Sequence, residues 1–273
     1  MEINVASIDL FKIFIWDFYN KNKRSFVWRN TQDPYAIVVS EIMLQQTQTH
    51  RVEQKYEQFM AAFTTFEQLA QSSLYDVLSA WQGLGYNRRG KYLHQIAVKV
   101  MEQYGGVLPD SPELLVTFPG IGPATASSIC AFAFNRPTVF IETNIRAVFI
   151  DSFFHSRTDV DDKELLPLIA ATVDRDNPRE WYYALMDYGV FLKKRGSNPS
   201  RKSKHHAKQS CFEGSDRQLR GAIIRLLVTH HTLTVNDVTI LFPTDSARII
   251  IIVEQLIKEG FVTKKNNVLQ IAQ

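Results

Sequence analysis

Cysteine is scarce. Cys130 and Cys211 are the two cysteines in 273 residues, so at most one disulfide can form. The chain's own thiols cannot make a four-cysteine iron–sulfur or zinc site. Long apolar runs are also lacking: stretches such as 249–253 fall far short of the roughly 18 residues a membrane span needs. Glu2, Asp9 and Asp17 interrupt the N-terminal apolar residues, which suits neither a secretory signal nor a transit peptide. Nor is the composition that of a disordered chain, with 45% apolar and 22% charged residues. These absences lead us to expect a soluble protein of a reducing compartment, the cytoplasm, with no membrane partner. The length suffices for one large domain or two modest ones.

A net charge of +3 says little about partners, but its distribution says more. Between positions 193 and 220 nine Lys or Arg face only Glu213 and Asp216, giving that stretch +7 and the remaining 245 residues −4. A basic belt on a mildly acidic body suits a polyanion; a solvated linker is the other reading.

Apolar spacing at three and four residues predicts helices over 8–19, 35–48, 51–63, 91–104 and 181–192, separated by Gly- and Pro-containing turns. No long alternating pattern occurs before the C-terminus. Composition shifts at 196–214, a run rich in Ser, Lys, His and Asn, which marks a boundary. Beyond it come three amphipathic stretches, 216–230, 235–242 and 245–259, then two short strands within 261–271 around a Lys-Lys-Asn-Asn turn. Three helices and a basic hairpin make a winged-helix pattern, which serves either DNA or protein docking. Residues 249–252 are expected to pack a core.

Three segments carry the chemistry. In 118–126 (FPGIGPATA) a short helix over 112–117 enters a turn with two glycines, and a small-residue helix leaves it. Glycines permit positive φ and close approach, and the free N–H groups at a helix start suit an anion. An ordinary interhelical turn is the alternative. In the helix from Tyr35, residues 36–44 are apolar apart from Ser40 and Glu41. Ile37, Glu41, Leu44 and Gln48 share a helical row, so Glu41 is expected beside buried surface, where lost hydration raises a carboxyl toward the range of a general acid. An exposed or ion-paired glutamate is the competing reading. Gln45, Gln46, Thr47 and Gln48 follow as an amide-rich cluster able to fill a gap in a base stack. Finally, apolar residues 139–141 lead into Glu142 and Thr143, one of which should cap the next helix.

SEIMLQQTQ (40–48), GLGYNRRGKYL (83–93), FPGIGPATA (118–126) and IETNIRAVF (141–149) occur in the order seen in the helix-hairpin-helix DNA glycosylases. The chain resembles that superfamily over roughly residues 8–192, most closely the adenine-DNA glycosylases of the MutY type and less closely endonuclease III. The resemblance implies an all-α, two-lobed helix-hairpin-helix core with DNA between the lobes. We expect this core over 1–192, a basic loop over 193–214 and a winged-helix-like domain over 215–273. It also implies extrusion of a mispaired or damaged base from double-stranded DNA and hydrolysis of its glycosidic bond.

Residue by residue, Glu41 stands where the family has its catalytic acid, and Glu142 where it has the Asp that stabilises the cationic sugar. That exchange adds one methylene. Ala124 replaces the Lys with which bifunctional relatives form a Schiff base, so a monofunctional enzyme without lyase activity is expected. Trp28, Arg29 and Asp187 match base-pocket positions; for Trp28 a pure packing role is the alternative. Gln46 and Tyr86 match side chains inserted into the base stack, with Gln45 and Arg88 beside them. Gly120, Gly122 and Ala124 belong to the phosphate-gripping hairpin, where a monovalent cation is compatible with the pattern.

Two departures bear on the substrate. Where relatives place four cluster cysteines this chain has Lys193, Ser200, Ser203 and Gln209, so no iron–sulfur cluster is expected, and phosphate contacts from Lys202 and Lys204 are a candidate replacement. Nothing after Ser215 resembles the domain with which MutY-type enzymes read 8-oxoguanine. Adenine opposite 8-oxoguanine or guanine leads as substrate; thymine or uracil opposite guanine competes, and a non-catalytic DNA-binding relative is the rival from another class. A monomer is expected.

Overall fold

The structure is a computed structural model that describes residues 5–196, 198–207 and 211–273. Its elements run in the order α1 (Val5–Asn22), α2 (Pro34–Leu44), α3 (Thr49–Ala62), α4 (Phe66–Gln71), α5 (Leu74–Ala80), α6 (Arg88–Tyr104), α7 (Pro112–Leu115) and α8 (Pro123–Phe134). Then follow α9 (Thr143–Phe153), α10 (Asp162–Thr172), α11 (Pro178–Lys194), α12 (Asp216–His230), β1 (Thr232–Thr234), α13 (Val235–Leu241), α14 (Ser246–Lys258), β2 (Val262–Lys265) and β3 (Val268–Ile271). Short 3-10 turns occupy Val27–Arg29, Pro199–Lys202 and Pro243–Asp245. The fold is thus mostly helical, as the periodicity predicts. Among the described residues, no helix is long and apolar enough to cross a membrane.

The chain divides into two compact units, each made of two segments: Met1–Glu41 with Pro109–Lys208, and Ile42–Leu108 with Gln209–Gln273. In the first, Trp181, Tyr182, Phe132 and Phe149 are fully buried. Helices α9 and α11 approach closely because residue 189 is glycine: a Cβ there would stand 2.5 Å from the Asn144 carbonyl oxygen. Capping fixes several helix starts, including a reciprocal box in which Asp161 and Glu164 satisfy each other's backbone N–H at α10.

In the second unit Gly90 of α6 packs where a Cβ would meet the Trp81 ring at 2.9 Å. The C-terminal segment supplies α12, α13 and α14 and an antiparallel sheet of order β1-β3-β2. Two asparagines with left-handed φ, Asn266 (+49°) and Asn267 (+64°), close the β2–β3 hairpin as such a two-residue turn requires. One continuous apolar cluster joins Leu219, Ile223, Leu227, Ile249, Leu256 and Leu269 to Leu74 and Leu78 of α5. The winged-helix arrangement therefore shares its core with the rest of its unit.

Three expectations need correction. Helix α2 stops at Leu44 instead of running to Gln48, so Gln48 leaves the row of Ile37 and Glu41 and stands before α3. The stretch 249–252 is only half core: Ile249 and Ile252 are buried, whereas Ile250 and Ile251 are 48% and 55% exposed, because a helix buries a stripe and not its whole girth. The periodicity also passed over α4, α5 and the three-residue β1, which are too short to show a repeat, and the 11-residue α10, which carries Pro167 in its interior, a residue that reads as a helix breaker.

Candidate active site

Glu41 lies in the last turn of α2 and keeps only partial exposure. Its carboxylate Oε2 lies 2.5 Å from the Ser128 hydroxyl of α8. Burial pushes this carboxyl up to about 7, and the charge of Glu142 adds to the rise, while Ser128 and Arg29 oppose it. Glu41 thus stands beside buried surface with its carboxyl raised, as the apolar helix around it predicts. Ser128 is buried and its oxygen is also 3.0 Å from the Thr125 carbonyl. One hydroxyl proton serves one acceptor. With Glu41 ionised, Ser128 donates to the carboxylate; with Glu41 protonated, the acid donates to Ser128, which turns its own proton to Thr125. Ser128 was not singled out in the sequence because a serine in a small-residue helix carries no periodic signal.

Glu142 is the N-cap of α9. Its Oε1 accepts from the backbone N–H of Asn144 at 2.8 Å and of Ile145 at 2.9 Å, and Oε2 accepts from the Asn144 side chain at 3.2 Å. Lys193 of α11 donates to the Asn144 side-chain oxygen Oδ1 at 2.7 Å, which ties the cap to a cation. The longer side chain, relative to aspartate, thus folds back onto the helix start as the cap expectation requires.

Arg29, Asp187 and Trp28 fall together in the first unit. Asp187 is 3% exposed and holds Arg29 through two bonds, at 2.9 and 3.0 Å. It also accepts from the backbone N–H and Nε of Arg24. The Arg29 guanidinium lies 4.4 Å from the Tyr183 ring centroid, and Tyr183 stacks on Phe132. Trp28 is buried and stacked flat on Phe26 at 5.0 Å. Asp187 thus spends its acceptors on two arginines, and Tyr183, which burial and the Glu41 charge push up, packs against Arg29, a contact that the sequence does not reveal.

The hairpin between α7 and α8 matches its expectation in part. Gly120 takes φ +74°, but Gly122 is extended (φ −86°) and caps α8. A Cβ at Gly122 would meet no protein atom within 4 Å, so close approach from outside is what its missing side chain permits. Ala124 is exposed in the first turn of α8.

In the second unit Gln46 (φ +54°) and Tyr86 (φ +48°) both adopt left-handed backbone, a strained state for such residues. One buried cation organises both. Arg89 donates to the carbonyls of Ile42, Met43 and Gln45 at 3.0, 2.8 and 2.5 Å, and to Thr47 at 2.8 Å. It also donates to the carbonyls of Leu84 and Gly85 at 3.3 and 3.1 Å. By taking the last carbonyls of α2 it accounts for the helix ending at Leu44. Burial lowers its pKa to about 10, which leaves it charged near neutrality. Arg88 is exposed and paired with Glu259 at 2.9 Å, and Gln45 is partly buried.

Residues 198–204 of the basic segment pack within the first unit. Val160 exchanges backbone bonds with Lys202 and Lys204, and Pro199, Ser200 and Ser203 are buried. Lys202 reaches the His155 carbonyl at 2.7 Å, and Lys204 lies 3.5 Å from Asp161. Of the four cluster positions, Lys193 and Ser200 hold hydrogen bonds within this packing, Ser203 accepts from the His205 N–H, and Gln209 lies outside the described residues. Cys130 is buried on α8 against the Asp110 carbonyl and Cys211 is exposed. These donors do not fit a four-thiolate cluster.

Comparison with known proteins adds three likenesses and a family. The model of the HhH-GPD superfamily of base excision DNA repair proteins matches residues 39–169. An adenine DNA glycosylase of Mycobacterium tuberculosis is 29% identical over 271 residues, covering 90% of this chain and 88% of that protein. The human adenine DNA glycosylase is 34% identical over 203 residues, covering 68% of this chain and 36% of its own. A thermostable thymine-DNA glycosylase of known structure superimposes with a TM-score of 0.61 at 25% identity, covering 68% of this chain and 87% of that one.

Proposed function

We propose that this chain, which belongs to the HhH-GPD superfamily of base excision DNA repair proteins, is a monofunctional glycosylase acting on a mispaired base, with adenine opposite 8-oxoguanine or guanine as its leading substrate. The observation that carries this reading is Glu41, a carboxyl that burial raises to about 7 in the same unit as Glu142 and the α7–α8 hairpin. A group of that pKa keeps a large share of its protons at neutral pH yet gives them up to a stronger base.

The steps balance as a hydrolysis. The hairpin of Gly120, Gly122 and Ala124 grips a phosphate through backbone N–H groups, which hold position without reading sequence. Gln46, five residues beyond Glu41 in the chain, and Tyr86 fill the stack as the target base turns out, at a cost of a few kcal/mol that a mispaired base lessens. Glu41 gives its proton to the departing base, the C1′–N bond breaks, and the bond's electron pair leaves with the base. Water adds to C1′ of the cationic sugar and passes its proton to the Glu41 carboxylate, while the negative charge of Glu142 stabilises the cation. Ser128 shifts its donor between Glu41 and Thr125 as the carboxyl cycles. Arg29, locked by Asp187 and backed by Tyr183, shapes the base pocket together with Trp28. Ala124 offers no amine, so the abasic strand stays uncut.

The likeness to a thymine-DNA glycosylase favours a second reading, removal of thymine or uracil opposite guanine. One panel decides. Duplexes with single mispairs are incubated with protein, and abasic sites are scored by alkaline cleavage. Product that disappears in Glu41→Gln supports the glycosylase, and the duplex cleaved identifies the base. No product from any duplex leaves a DNA-binding protein without chemistry. Borohydride in the same reactions should trap no covalent adduct; a trapped adduct would refute monofunctional action.

A further inference from the structure

The C-terminal segment reaches the loop that carries Tyr86. Arg217, in the first turn of α12, donates from Nη1 to the Tyr86 hydroxyl at 2.7 Å, and its guanidinium lies 5.2 Å from the centroid of that ring. Beyond it Arg217 also rests on Phe212, at 5.3 Å. The Arg89 guanidinium lies 5.5 Å from the same Tyr86 centroid. Tyr86 therefore has two guanidinium groups against one ring, both held by elements of its own compact unit.

This contact has a reason to matter. Gly83 (φ +95°) and Gly85 (φ +70°) leave the backbone before Tyr86 free to swing, and Tyr86 itself is in the left-handed region. A tyrosine stays in that conformation when its surroundings fix it several times over. From the backbone side Arg89 and the Trp81 indole, which donates to the Gly85 carbonyl at 3.1 Å, hold the turn. From the side-chain side Arg217 holds the ring. Its helix is anchored firmly, because Leu219 and Ile223 of α12 lie in the apolar cluster that includes Leu74 and Leu78.

We propose that Arg217 is a positioning residue for base extrusion: with Arg89 it clamps Tyr86 so that the ring is already oriented for entry into the base stack, which gives the C-terminal segment a part in catalysis. This rests on reading Tyr86 as the inserted side chain. Preorganising that ring removes the entropy of ordering a glycine-flanked loop during extrusion.

The test uses the full chain and the mispaired duplex that the wild type cleaves, with 2-aminopurine beside the target base to report unstacking. Single-turnover excision is followed in parallel. Losing one charge-assisted hydrogen bond and one cation–π contact should lower both the unstacking signal and the excision rate about five-fold in Arg217→Gln. Arg217→Lys, which keeps the charge without the planar group, should fall between. In a Tyr86→Ala background Arg217→Gln should cost nothing further, a non-additivity that general destabilisation would not produce. A full five-fold loss in that background would mean Arg217 acts elsewhere, for instance on phosphate, and would overturn the clamp. So would normal unstacking in Arg217→Gln when Tyr86→Ala is impaired. Normal unstacking in Tyr86→Ala would remove the insertion reading and the clamp together.

Discussion

Replacing Glu41 by glutamine should stabilise the protein while abolishing excision. The unfolded carboxyl titrates near 4.5 and the folded one near 7. Below the unfolded value the proton is bound in both states and nothing is lost. Between the two values folding takes up a proton, so stability falls as pH rises. Above 7 the charge is buried in full, at a cost on the order of 3 kcal/mol. Glutamine has no charge to bury, and its amide oxygen keeps an acceptor for the Ser128 hydroxyl that now donates to the Glu41 carboxylate. The variant should therefore match the wild type near pH 4 and exceed it progressively up to pH 8.5. At roughly 2 °C per kcal/mol for a chain of this size, the difference at pH 8.5 is about 6 °C in Tm. Paired thermal melts across that range, with urea titrations at the two ends, measure it. A variant no more stable than wild type at pH 8.5, or a gap that does not change with pH, would refute the sheltered-acid argument whatever happens to activity.

Other expectations follow from individual contacts. Ser128→Ala removes the bond that favours the ionised carboxylate, so the alkaline limb of the pH–rate profile should move to higher pH; a limb that stays or moves down would contradict the assigned contact. Asp187→Asn leaves the Arg29 and Arg24 guanidiniums short of their shared counter-charge and should cost about 3 kcal/mol in urea denaturation. Gly189→Ala drives a methyl into the Asn144 backbone and should cost about 2 kcal/mol or more while slowing excision, because Asn144 carries one side of the Glu142 cap. For Glu142, alanine should lose about 1 kcal/mol of helix capping, whereas aspartate, an equally good cap, should lose little.

How much was readable beforehand differs between the carboxylates and their surroundings. The two glutamates were legible because each broke a local pattern: Glu41 an apolar helix, Glu142 an apolar lead-in at a helix start. The hairpin was legible from its glycines, of which Gly120 takes a positive φ and Gly122 stays extended and open to close approach. Ser128, Tyr183, Arg89 and Arg217 were not legible. Each is ordinary in its own segment and gains its role from a partner far along the chain, at separations of 87 residues for Ser128–Glu41 and 131 for Arg217–Tyr86.

Helix periods, turn glycines, caps and the basic belt are local properties of neighbouring side chains, and the amino-acid order alone dictates them. The end of α2 at Leu44, the left-handed Gln46 and Tyr86, and the sheltering of Glu41 are decided by the tertiary structure, because carbonyl acceptors, ring contacts and lost water come from segments that only folding brings together.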